Sequence, residues 1–296
     1  MILYRKATME HFSEVLHFIA GLNCHREFNN PWLGSDEATI KDRLQSLPYI
    51  PFEEAFFLAF EEERLVGVLG FAAFPETGQF RLLGPYVQHE NWNEISLALY
   101  HQVLETIPDT YATCRVSIDK LNAQCASLFQ ELGFAEYNAE ALLSLELSRY
   151  QPPTLEPLSS DLTITPYTDQ FQEAFDKLHP KEAYFSSNDI INQLSETKKM
   201  FILCRDGSEL IGYTYVEAIP ENSTAEICFL RVDEIHRNKQ YGTHLIAYVI
   251  QWGQECQGIE KLELSVRIAN IHARRLYDRL NFDETAVCVS LEKQRA

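Results

Sequence analysis

The sequence predicts an α/β chain of the α+β kind: two tandem domains, each a mixed, mostly antiparallel sheet flanked by helices. Three observations carry this. Apolar strands and amphipathic helices follow one another in an order that occurs twice. The two passages share residues at fixed spacing. Val66-Gly67 matches Ile211-Gly212 and Val87 matches Val232, 145 residues apart; Asn122 matches Asn270, Leu128 matches Leu276 and Phe134 matches Phe282, 148 apart. Between the passages, Arg149 to Ser160 holds three prolines and two serines without periodicity, the composition of a linker. The predicted domains are residues 1–150 and 161–296, with 151–160 as linker.

In the first passage, Leu3 to Ala7 reads as a strand and Met9 to Leu22 as an amphipathic helix. A Pro31-Trp32 turn precedes a second helix over Asp36 to Leu44. The apolar runs Phe56 to Phe60 and Leu65 to Phe74 flank Glu61-Glu62-Glu63, the pattern of a hairpin. Phe80 to Val87, Ala112 to Ile118 and Ala141 to Leu147 are further strands, separated by helices over Ile95 to Thr106 and Ala123 to Leu132. The second passage opens with a strand over Leu162 to Thr165 and helices over Gln170 to Leu178 and Asp189 to Leu194. A hairpin then turns at Asp206-Gly207, joining Met200 to Cys204 with Leu210 to Ile219.

At 296 residues the chain is long enough for two ordinary domains, and 46% hydrophobic with 23% charged residues is a globular composition. No apolar run approaches the length of a membrane helix. The first residues lack the apolar core of a signal peptide. Seven cysteines are scattered and none forms a CxxC pair, so neither a disulfide framework nor a zinc site is expected and a reducing cytoplasm fits. Net charge is −18, which argues against nucleic acid and anionic membranes as partners. Eight of the 25 lysines and arginines nevertheless fall between Arg231 and Arg279.

That basic region follows the most informative stretch of the chain. Ala225 to Val232 is an apolar strand. A turn with Arg237, Asn238, Lys239, Gln240 and Tyr241 leads to Gly242-Thr243 and to a helix whose Leu245, Ile246, Val249 and Ile250 repeat at helical spacing. Strand, basic loop and helix start together make a phosphate-binding arrangement, because a helix's first backbone N–H groups lack partners and its dipole favours an anion. Gly242, without a Cβ, would let a ligand approach its backbone. An alternating strand over Lys261 to Arg267 follows. A helix beginning near Asn270 then carries Ala273, Leu276, Tyr277 and Leu280 on one stripe.

In Arg237-x-x-Gln240-x-Gly242 and in Asn270-x-x-Ala273-x-x-Leu276-Tyr277 with Phe282, residues 200–292 resemble the GNAT superfamily of acyl-CoA-dependent N-acetyltransferases. Gln240 and Asn281 stand where that family has glycine, and Asn tolerates positive φ better than most residues. Ala225-Glu-Ile and Tyr241-Gly-Thr-His-Leu also resemble the histone-acetylating branch. Through the repeat the resemblance extends to the first passage. There Trp92 and Leu97 stand for Arg237 and Gly242, the loop Gln88 to Trp92 is acidic, and the copy reads as degenerate.

The resemblance implies acetyl-CoA as co-substrate, no metal, and a primary amine on a small molecule, peptide or protein as acceptor. The chain would act as a monomer, a pseudo-dimer in itself, or as a homodimer. Arg237 to Thr243 would hold the pyrophosphate, and the strand end Leu230, Arg231, Val232 would pair with the pantetheine. Tyr277 is the candidate general acid for the departing thiolate, or else a half-core residue that touches the cofactor. Glu226 is the candidate base, on a strand face shared with Cys228 and Leu230 where burial would raise its pKa, or else a rim carboxylate paired with an arginine such as Arg267. Asn270 would bond the cofactor, cap its helix, or both. The acceptor site is expected from Cys24 to Leu47 and Phe185 to Leu194. A non-catalytic acyl-CoA-binding or regulatory protein on the same fold is the alternative.

Overall fold

In the computed structural model the described residues are 1–34, 36–181, 183 and 185–295. They divide into two compact units. The first comprises Met1–Glu140 and the residues from Ala286 onward; the second is Ala141–Thr285.

The first unit contains β1 (Ile2–Lys6), α1 (Phe12–Asn23), α2 (Glu37–Gln45), the short α3 (Phe52–Ala55), β2 (Phe56–Glu61), β3 (Arg64–Phe74), β4 (Gln79–Val87), α4 (Trp92–Thr106), β5 (Thr113–Asp119), α5 (Ala123–Glu131) and the start of β6 (Ala135–Glu146). The second contains the rest of β6, β7 (Leu162–Pro166), α6 (Gln172–Leu178), α7 (Ser187–Gln193), β8 (Lys198–Arg205), β9 (Glu209–Ile219), β10 (Thr224–Val232), α8 (Tyr241–Glu255), β11 (Lys261–Arg267), α9 (Ile271–Arg279) and the start of β12 (Asp283–Gln294). Strand order is β1-β2-β3-β4-β5-β12 in the first unit and β6-β11-β10-β9-β8-β7 in the second. Neighbours pair antiparallel through the hairpins, whereas β4 with β5 and β10 with β11 are parallel. Among the described residues no helix is long and apolar enough to cross a membrane.

The repeat is visible in local hydrogen bonds. Asn122 caps α5 by accepting from Cys125 N–H, and Asn270 caps α9 from Ala273 N–H, each at 3.2 Å. Both helices end in a Schellman motif with a left-handed residue at its close, Gly133 (φ 80°) and Asn281 (φ 62°). Phe134 N–H returns to Phe129 O and Phe282 N–H to Tyr277 O. The accompanying ring contacts, Phe129 with Phe134 and Tyr277 with Phe282, have centroids 5.0 and 5.5 Å apart.

The expected linker has no helix or strand from Gln151 to Ser159, but it is not where the units divide. Residues 141–160 belong to the second unit, and the strand that completes the first unit's sheet is β12, in register with β5 from Cys288↔Asp119 to Gln294↔Thr113. Pro-rich composition reports an irregular local segment; which sheet a terminal strand joins is a long-range choice with no local signature.

Candidate acyl-transfer site

In the second unit β10 pairs with β11 only over Thr224–Glu226, opposite Lys261–Glu263. Beyond this, β10 runs on to Val232 and β11 to Arg267 without pairing, so the two parallel strands open into a wedge. On its other side β10 stays paired with β9, through a bulge at Cys228, between Ile227↔Val216 and Phe229↔Tyr215. The extra residue resets which side chains face where. Ala225 and Ile227 sit in the core beneath α8, and Leu230 and Val232 pack on the same side. Glu226, in register with Glu217, and Phe229 and Arg231, in register with Tyr215 and Tyr213, look the other way, toward α6 and α7.

This corrects the expected placement of Glu226. It does not share a face with Leu230, and it is exposed rather than desolvated. It stands between Glu217 and Glu263 in the cross-strand row. Lys198 meets Glu217 at 3.2 Å and Lys261 meets Glu263 at 2.7 Å, while the Tyr215 hydroxyl donates to Glu217 at 2.7 Å. Strict two-residue alternation does not hold along a strand that contains a bulge.

The wedge opens toward the loop before α8. Asn238 and Gln240 are left-handed (φ 64° and 59°), and Gln240 is the N-cap, without a side-chain cap bond. The first bond into the helix is His244 N–H to Gln240 O at 3.1 Å. Among the described residues, the backbone N–H groups from Asn238 through Thr243 have no acceptor. Consecutive unpaired amides at a helix start, with a positive dipole end behind them, form an anion-binding concavity. A cavity of about 300 Å³ adjoins it, lined by Asn238, Lys239, Gln240, Tyr241, His244 and the Glu156–Ser159 segment. Burial lowers the His244 pKa below its ordinary 6.5, opposed by a backbone hydrogen bond with Glu156. Arg237 turns back on its own loop, reaching Val232 O at 3.3 Å and Glu234 at 3.1 Å.

Gly242 serves a different purpose from the one expected. A Cβ there would meet Leu276 Cδ1 at 2.9 Å, with Leu230 and Val232 beyond it. The missing side chain lets α8 approach α9 and β10; it does not face a ligand. Gln240 carries the conformational cost instead, since a non-glycine residue in the left-handed region is disfavoured by about 1 kcal/mol. Gln240→Gly is expected to raise stability by about 0.5 kcal/mol after glycine's greater chain entropy is subtracted. A rise in Tm of roughly 1 to 2 °C by calorimetry is the expected result.

Tyr277 is 6% exposed, within the core formed by α8, α9, β10 and β11. Burial pushes its pKa well above the ordinary 10, so the phenol is protonated throughout the neutral range. Asn270 is the N-cap described above, and its side-chain oxygen is committed to Ala273 N–H.

On the other face of β10, His179 is 5% exposed and both its nitrogens are engaged. Nε2 lies 2.8 Å from Phe185 O and therefore carries the proton; Nδ1 accepts from the Tyr213 hydroxyl at 2.6 Å. Sequence reading singled out neither His179 nor Tyr213. A histidine ending an amphipathic helix and a tyrosine inside an apolar strand carry no pattern that joins them.

The corresponding parting in the first unit is filled. β4 pairs with β5 only over Gln79–Leu82, opposite Thr113–Val116. Past that point Asn30 Nδ2 donates to Leu82 O on β4 at 3.2 Å, and Asp119 N–H on β5 donates to Asn29 O at 3.1 Å. Arg26 holds the buried Asp119 carboxylate with two bonds, at 2.9 and 3.2 Å. Much of the Cys24 to Leu47 stretch expected to line an acceptor site is thus engaged inside its own unit; Ser35 lies outside the described residues.

The second unit thus combines an opened parallel strand pair, a bulge on one arm and an amide-lined helix start at its mouth. The model of the acetyltransferase (GNAT) family matches residues 164–282. That match lies within the second unit. Solved structures extend the likeness to the whole chain at the level of fold. A GCN5-related N-acetyltransferase from Sphaerobacter thermophilus has a TM-score of 0.74 at 13% identity, covering 99% of this chain and 95% of its own. A tandem GNAT protein from the clavulanic acid biosynthesis pathway has a TM-score of 0.69 at 15% identity, covering 99% and 98%. The GNAT region of a fungal multi-domain GH3 β-N-acetylglucosaminidase has a TM-score of 0.71 at 10% identity over 98% of this chain and 38% of that one. No curated protein sequence matches the chain. Both units therefore have the GNAT fold.

Proposed function

We propose that the second unit is an acetyl-CoA-dependent N-acetyltransferase acting on a primary amine, carried by a small molecule or by a peptide or protein. The observation that carries the reading is the wedge between β10 and β11, continuous with the unpaired amides from Asn238 to Thr243. Acetyl-CoA supplies an activated acetyl thioester. The residues present fit it: the six amides from Asn238 to Thr243, with Lys239, would hold a pyrophosphate, and the edge of β10 at Leu230, Arg231 and Val232, unpaired with β11, would offer backbone groups to the pantetheine.

Nitrogen attack on the thioester carbonyl forms the amide bond, and the C–S bond breaks with its electron pair on sulfur. A backbone N–H of β10 would donate to the carbonyl oxygen as charge gathers on it. Glu226, exposed on the acceptor face, takes the ammonium proton, directly or through water. Tyr277 gives its proton to the thiolate, whose conjugate acid has an ordinary pKa near 8.5. The first unit, with its parting bridged by Asn29 and Asn30, does not take part in cofactor binding.

Calorimetry with acetyl-CoA, followed by release of free CoA thiol in the presence of amines, tests this. One saturable site and amine-dependent thiol release are expected. Two sites would show the first unit to be competent; none would overturn the enzyme reading. Binding without transfer to any amine would favour a non-catalytic acyl-CoA-binding protein, for which the deep burial of Tyr277 is the supporting feature.

A further inference from the structure

We infer that the acceptor carries an anionic group, a carboxylate beside its amine, and that the side chain of Arg231 receives it. The inference names the substrate class of the acetyltransferase site and rests on that reading.

Arg231 lies on β10, and its backbone belongs to the edge assigned to the cofactor. Its side chain belongs to the opposite story. The bulge at Cys228 turns it to the face of α6 and α7, away from α8, opposite Tyr213 in register and two positions beyond Phe229. It is part-buried, and its Nε is fully buried without a hydrogen-bond partner. The neighbours do not satisfy it. Tyr213 donates its hydroxyl to His179, and His179 spends both nitrogens on Tyr213 and Phe185. The guanidinium is nonetheless felt there, since it lowers the Tyr213 pKa against the larger effect of burial.

The other part-buried lysines and arginines of the second unit each have a carboxylate: Lys198 with Glu217, Lys199 with Glu196, Arg205 with Asp161 and Glu209, Lys261 with Glu263, and Arg274 with Glu284. Among the described residues of that unit, Arg231 is the exception. A chain with 43 acidic residues does not lack for carboxylates. A desolvated cation without a partner costs stability, and a guanidinium fork is shaped to take two oxygens of one oxyanion. The same bulge places Glu226 on this face. Glu226 and Arg231 are five residues apart, which regular alternation would send to opposite sides. An unpaired arginine on the same strand face as the candidate base Glu226 suits a molecule that carries both an ammonium and a carboxylate: an amino acid.

The test uses the full chain with acetyl-CoA and matched acceptors: phenylalanine with phenethylamine, leucine with 3-methylbutylamine, and lysine with cadaverine. Phosphoethanolamine against ethanolamine separates a carboxylate from a phosphate. The wild type is expected to favour the carboxylate-bearing member of at least one pair by about 100-fold in kcat/KM. Arg231→Met is expected to bring that ratio near one and, because it removes an unpaired part-buried charge, to raise Tm. Arg231→Lys should restore part of the ratio. Equal or better use of the decarboxylated amines, with transfer intact, overturns the inference and leaves the acetyltransferase reading standing. A phosphoethanolamine preference overturns the carboxylate assignment. A fall in Tm for Arg231→Met with the ratio retained shows a structural arginine. Absence of transfer to every pair, with acetyl-CoA bound, overturns it as well; failure to bind acetyl-CoA removes the reading beneath it.

Discussion

Tyr277→Phe is expected to lower kcat on the order of 100-fold, the usual contribution of a positioned general acid, while the Kd for acetyl-CoA changes little. The phenylalanine keeps the ring that packs at 5.5 Å against Phe282 and loses only the hydroxyl. The ring lies in one core with Leu280 and Phe282, and removal of the hydroxyl leaves those apolar neighbours in place. Burial raises the phenol pKa above 10, and the sign of the pH dependence follows. The acidic proton is present at every pH below the raised value, so loss of the acid form must appear above pH 10 and not in the neutral range. A kcat unchanged in Tyr277→Phe would make Tyr277 a core residue and leave thiolate protonation to water. Rapid-quench or continuous thiol release, beside calorimetric binding, separates the two.

The double variant Lys239→Glu with Gln240→Glu should weaken acetyl-CoA binding on the order of 100-fold at low salt. Both side chains are exposed, so the fold is not at risk. Together they change the local charge by three units beside six amides that have no other acceptor. Two charges several ångströms apart near a protein surface interact by a few kcal/mol before screening, and 0.15 M salt screens over about 8 Å. The loss should shrink as salt is raised. A variant that binds as tightly as the wild type would mean that the pyrophosphate is held elsewhere.

Much of the fold was legible because its signals are local. The alternation of strands and helices, the Asn270 cap and the asparagine at 281, which tolerates positive φ, are each written within a few residues. The amide-lined loop was legible too, through the spacing of Arg237, Gln240 and Gly242. What could not be read depends on contacts far apart in sequence. The bulge at Cys228 decides the faces of Glu226 and Arg231, yet it exists only in the pairing of β10 with β9. Gly242 was read as facing a ligand because the sequence does not show that Leu276 occupies the space where its Cβ would stand. The bridging of β4 and β5 by Asn29 and Asn30 joins residues about fifty and ninety positions apart, and the acidic loop at Gln88 to Trp92 hinted at loss of cofactor affinity without revealing how the space is filled.

The course of the last strand has a consequence for the covalent chain. The stretch near Pro152, Pro153 and Pro157 looks like a tether whose loss would free two halves. Yet β12, which lies after that stretch, is hydrogen-bonded along β5, which lies before it, and the end of β6, which lies before it, neighbours β11, which lies after it. A nick among those prolines would leave two fragments that still complete each other's sheets, separable by denaturant and not by dilution alone. Connectivity there sets the order of synthesis; strand pairing keeps the molecule whole.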